Sequence, residues 1–134
     1  MNVPLIVSGS LAVLASAIHG AGGEILVVRK LATPTLAPSR FGGPSMTKAM
    51  IHVTWHITTA AFLTVGCALV LAGSVLEGDT ARGIALVGAA ASTGFAALAV
   101  GLGAAYARSP RAFFGHLGPA ALTAIAALAW WGVA

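Results

Sequence analysis

Of the 134 residues, 58% are hydrophobic and only 7% are charged, against roughly a quarter charged in an average soluble domain. Seven Lys and Arg with three Asp and Glu cannot cover the surface that a water-soluble globule of this length leaves to solvent, so the composition excludes one and places the chain in lipid. The net charge of +4 comes from basic residues scattered between apolar runs. With no stripe on one face, they argue against nucleic acid as a partner and read as topology signals and contacts to anionic membrane lipid. The single cysteine, Cys67, allows no intrachain disulfide and no thiolate metal cluster within one copy.

A membrane span needs about 20 mostly apolar residues, and four such runs follow one another along the chain. The first covers about residues 3–28 and stops at Arg29 and Lys30. No Lys or Arg precedes its apolar stretch, which is also longer than a signal-peptide core, so it reads as a retained helix. Its segment His19-Gly20-Ala21-Gly22-Gly23-Glu24 follows no strand and leads to no phosphate-binding lysine, which excludes a nucleotide loop. It predicts a close helix crossing or a local break instead. Residues 31–47 carry Pro34, Pro38, Gly42, Gly43 and Pro44 and predict an irregular loop.

The second run, about residues 48–73, carries His52 and His56, with Trp55 beside them as a packing or lipid-facing residue and Cys67 as an apolar filler. A short turn over 74–82 leads to the third run, about residues 83–106, where Gly88/Ser92, Ala90/Gly94 and Ala97/Gly101 stand at the four-residue spacing that lets helices approach closely. Such packing serves helices of one chain, a homo-oligomer or a larger membrane complex equally. A second short turn over 107–111 precedes the fourth run, about residues 112–134. There Pro119 predicts a kink beyond His116, and Trp130 and Trp131 suit an interfacial aromatic belt.

The expected fold is therefore all-α: an integral membrane, antiparallel four-helix transmembrane bundle occupying residues 1–134 as one domain. Arg29, Lys30, Arg40 and Lys48, then Arg108 and Arg111, cluster at two connections, whereas the middle one holds Glu77, Asp79 and only Arg82. Positive residues mark the cytoplasmic side, so both termini are expected outside, in a bacterial inner membrane.

Every histidine, together with Glu24, falls inside a proposed span. At ~1.5 Å per residue, Glu24, His52 and His116 lie about 6 to 7 Å from their cytoplasmic boundaries, His56 about 12 Å and His19 about 15 Å. All five thus occupy one half of the bilayer, where an ionisable group must face the bundle interior. His52 and His56, four apart, share a helix face and can point at one ion. With His116 and either Glu24 or His19 they make a set suited to Zn, Cu or Fe. Alternatively, His19 and His56, matched in depth on different helices, could serve as the axial pair of a b-type haem. A closed metal site is favoured over haem because four Ala-rich helices leave little lined volume, with Trp55, Phe62, Phe113 and Phe114 as the large walls. A third alternative has no cofactor, the polar residues forming an interhelical hydrogen-bond network or proton relay in a structural subunit.

The pairs His19-Gly20, Gly23-Glu24 and Trp55-His56 resemble those of a group of small four-helix bacterial integral membrane proteins. The resemblance covers the first two helices and the loop between them, does not include His52 or His116, and implies a four-helix fold and no particular activity. No nucleophile, carboxylate pair or phosphate loop argues for hydrolytic chemistry, so enzymatic activity is left open. The expected function is binding of a transition metal or haem iron, as a carrier, a redox module or a small metalloprotein.

Overall fold

The computed structural model describes residues 1–107, 109 and 115–134. These form helices and connections, with no strand among them. The first apolar run is helical over Val3–Lys30 but not uniform. Helix α1 (Val3–Ala17) passes into a π turn over Ile18–Gly22, a short α2 (Gly23–Leu26) and a 3-10 turn over Val28–Lys30. The break falls on the glycine run, and a π turn carries one residue more than an α turn, which re-aims the side chains beyond it.

Helix α3 (Pro44–Ser74) begins four residues before the expected start. Proline is suited to the first helical position, where its missing N–H would have no partner in any case. Helix α4 (Gly78–Tyr106) also starts early. Gly78, with φ of +60°, makes the turn that only glycine tolerates well, and Asp79 lies in the first helical turn, where a negative charge is favoured. Polar residues that suggested a longer connection are thus helix start, and only residues 75–77 join the two helices.

Helix α5 (Leu117–Val133) starts later than the sequence suggested. His116 is its N-cap and so precedes the helix. Residues 112–114, including Phe113 and Phe114, lie outside the described residues, as do Arg108 and Arg111 of the basic connection. Pro119 is the third helical residue, among the first four N–H positions that lack an intrahelical acceptor. It therefore breaks no backbone bond, and the expected kink has no cause there. Val3–Lys30, Pro44–Ser74 and Gly78–Tyr106 are long and apolar enough to cross a membrane; Leu117–Val133 is apolar and shorter.

The chain divides into two compact units. The first, Met1–Val13 with Thr64–Ala134, has a core of Leu5, Leu69, Ala72, Ala85, Ala89 and Ala129. Gly9 and Gly66 meet backbone to backbone, since a Cβ on Gly9 would lie 2.5 Å from the Gly66 carbonyl oxygen. Leu69 sits over Gly88, and Ser92, one turn on, is buried. Of the three small pairs, Gly88/Ser92 is therefore used inside the chain, while Gly94 and Gly101 face open space. Small polar groups tie the N-terminal segment to α5: Asn2 Nδ2 donates to the Gly132 carbonyl (2.6 Å) and, further along both helices, Ser8 Oγ to that of Ile125 (2.8 Å).

The second unit, Leu14–Leu63, holds the π turn, the proline-containing loop and the first part of α3. Gly20 lies against Thr59, and Gly23 lies so close to the Trp55 indole that any Cβ would collide with it. The loop is ordered by its own bonds to α3: Thr47 Oγ1 donates to the Ala37 carbonyl (2.7 Å) and Lys48 Nζ to that of Leu31 (2.8 Å).

Candidate metal centre

The close approach at Gly20 and Gly23 sets the first helical run against α3, and Glu24, just beyond the π turn over Ile18–Gly22, meets two histidines. His52 Nε2 stands 3.1 Å from Glu24 Oε2, and His56 Nε2 stands 3.5 Å from the same oxygen. The four-residue spacing puts the two imidazoles on one face of α3, with ring centroids 4.9 Å apart and planes tilted by 54°. One ligand atom from each of Glu24, His52 and His56 falls within 4.8 Å of the other two.

Burial across the triad is uneven. The Glu24 side chain is 16% exposed, whereas each imidazole is 49% exposed. Both contacts to Oε2 are of ion-pair length, but neither has the alignment of a hydrogen bond, so this oxygen is buried without a hydrogen-bond donor. The other oxygen is satisfied: Arg29 Nε donates to Oε1 at 3.1 Å. Glu24 and Arg29 are five apart, a separation that an unbroken α-helix would turn to different faces. The 3-10 turn at Val28–Lys30 brings the guanidinium back.

Three ligands at metal bonds of about 2.0–2.1 Å in a tetrahedral arrangement stand roughly 3.3 Å from one another. The two edges that meet at Glu24 Oε2, 3.1 and 3.5 Å, bracket that value, and all three ligand atoms lie within 4.8 Å of one another. The donor set of two imidazole nitrogens and one carboxylate oxygen suits a borderline transition-metal ion and not Mg or Ca. The half-exposed imidazoles leave one side of the triad uncovered by the described residues, where a fourth ligand has access.

His19 is held in a different environment. Its ring stacks on the Trp55 indole, with centroids 4.4 Å apart and planes 11° from parallel, and meets Phe62 edge-on. Its Nδ1 is 2.9 Å from Thr59 Oγ1. That hydroxyl donates to the Trp55 carbonyl, so the imidazole supplies the proton of the His19–Thr59 bond. Trp55 Nε1 donates to the His19 carbonyl at 2.9 Å, at the π turn.

Of the residues singled out in the sequence, Glu24, His52 and His56 are brought together. His19 is fixed by Trp55, Thr59 and Phe62. His116 caps α5, its Nδ1 accepting from the Gly118 N–H at 3.1 Å, and is not one of the three clustered ligands. Sequence reasoning gave Arg29 only a topological role. It placed Thr59 only in a general hydrogen-bond network with Thr47, Thr54 and Thr58, and treated Trp55 as a packing or lipid-facing residue. The useful signal for Arg29 was a lone acid five residues before a basic pair. The chain matches no protein-family description, no curated protein and no solved structure.

Proposed function

We propose that the chain is a small integral membrane protein, an antiparallel bundle with both termini outside a bacterial inner membrane, that binds a transition-metal ion through Glu24, His52 and His56. The observation that carries this is the Glu24 Oε2 atom: buried, without a hydrogen-bond donor, and within 3.5 Å of two imidazole nitrogens. A hydrogen-bond network would align at least one N–H on that oxygen, because an unsatisfied buried carboxylate oxygen is costly. A cation placed between the three ligands satisfies it. Arg29 on Oε1 orients the carboxylate as outer-shell partners of metal ligands do.

Haem on His19 and His56 is supported less well. His56 presents Nε2 to Glu24, whereas an axial ligand presents that nitrogen to the porphyrin iron. Two histidines and one carboxylate leave a tetrahedral ion one position short, as in zinc sites that keep a position for water or substrate. The site fits a small metalloprotein or a carrier that holds its ion exposed on one side.

The test is metal content after equilibrium dialysis of detergent-purified protein against zinc. One ion per chain is expected, with loss of binding in Glu24→Gln and in His52→Ala/His56→Ala. Stoichiometric zinc retained by the double variant would overturn the assignment.

A further inference from the structure

A second site lies in the same unit, on another face of α3. Between the ordered loop and this helix runs a groove of about 650 Å³ lined by His19, Pro38, Met50, Ile51, Thr54 and Trp55, among others. Its volume lies in the range of roughly 300–1,000 Å³ typical of ligand sites, and its wall is mostly apolar. The Thr47 hydroxyl is given to the Ala37 carbonyl and that of Thr58 to the Thr54 carbonyl, and both threonines line the groove. What remains is mainly aliphatic and aromatic surface.

The charge of this unit is one-sided. Among residues 14–63 there are four cations and one carboxylate. Arg29 is taken up by Glu24, and Lys48 Nζ is bonded to the Leu31 carbonyl. Lys30 and Arg40 have no acidic partner among the described residues. Arg40 directly follows Ser39, a groove residue, in a tight turn closed by the Gly42 N–H on the Ser39 carbonyl. The turn also carries Phe41, 79% exposed. A cation and an exposed phenyl ring side by side at a loop tip suit a membrane interface, the ring entering the acyl region and the cation meeting phosphate.

We infer that this groove binds an anionic phospholipid, with an acyl chain along Met50, Ile51 and Trp55 and the phosphate on Arg40, assisted by Lys30. The inference rests on the membrane reading of the chain and is independent of the metal centre. A neutral lipid would fill the groove without using the charge. A soluble acidic partner would leave the apolar wall and Phe41 unexplained.

Trp55 lines the groove and supplies the probe. In a Trp130→Phe/Trp131→Phe background it is the sole tryptophan. This protein is reconstituted in phosphatidylcholine vesicles containing equal mole fractions of either dibrominated phosphatidylglycerol or dibrominated phosphatidylcholine. The expected result is several-fold stronger quenching of Trp55 by the brominated phosphatidylglycerol, reduced to the phosphatidylcholine level by Arg40→Gln/Lys30→Gln and restored by Arg40→Lys/Lys30→Arg. Both variants alter exposed side chains, and helical content by circular dichroism confirms that each is folded. Equal quenching by the two lipids, or quenching that follows protein concentration as a second copy in the groove would require, overturns the inference. If the protein fails to co-sediment with either vesicle, the membrane reading itself falls.

Discussion

The Trp55 indole lies flat against the His19 imidazole at 4.4 Å while its Nε1 donates to the His19 carbonyl, so one side chain of α3 secures both the ring and the backbone of the residue at the π turn. Replacing Trp55 with Phe keeps an aromatic face and removes the hydrogen bond, which should cost about 0.6 kcal/mol, the average for bonds between helices in membranes, and at most about 1.7 kcal/mol. Trp55→Ala removes the packing as well and should cost about 3 to 5 kcal/mol. Unfolding in mixed micelles by SDS titration measures both; equal losses in the two variants would show that the stacking contributes nothing.

Glycines in this chain separate sharply by what surrounds them. Gly23→Ala drives a methyl group into the Trp55 indole, an overpacking that typically costs about 1 to 3 kcal/mol. Because Gly23 precedes Glu24, it should also weaken zinc binding. Gly94 faces open space, so Gly94→Ala should be neutral or should gain up to ~1 kcal/mol from helix propensity. Thermal melting in detergent distinguishes the two, and a melting temperature for Gly23→Ala equal to that of the unsubstituted protein would refute the close crossing.

His116 provides the control for the metal centre. As the N-cap of α5, it should lose roughly 1 kcal/mol of stability on replacement with alanine and no zinc. Loss of the metal in His116→Ala would return this residue to the ligand set.

Much of this was legible in the sequence. The charge deficit predicted apolar helices, and the four runs correspond to the helical segments, because hydropathy over 20 residues is insensitive to a few residues at either end. Helix ends were not legible for the same reason. Pro44 and Gly78 start helices where they were taken for loop, and Leu117 starts one beyond a cap that a histidine, an unusual capping residue, provides. At the site, Glu24, His52 and His56 could be found because ionisable groups are costly in lipid and four-residue spacing is geometric. What separated His19 from them was the π turn, a register change that no periodicity encodes. The contacts of Arg29 with Glu24 and of Trp55 with His19 depend on that change and on backbone approach at Gly20 and Gly23.

The proposed orientation follows from the basic residues at two of the three connections and predicts that Ala134 lies outside. A reporter that is active only in the periplasm, fused after Ala134, should be active in a bacterial host. A reporter active only in the cytoplasm at this position would reverse the topology and move the metal centre to the other half of the bilayer.

X-ray absorption at the zinc edge of the zinc-loaded protein tests the metal centre most directly, because it reads the ligands themselves. The expected spectrum shows two imidazoles and oxygen ligands at about 2.0 to 2.2 Å, with one imidazole lost in His52→Ala and the shell abolished in Glu24→Gln/His52→Ala/His56→Ala. A sulfur shell from Cys67, a third imidazole, or a spectrum unchanged in the triple variant would contradict the assignment.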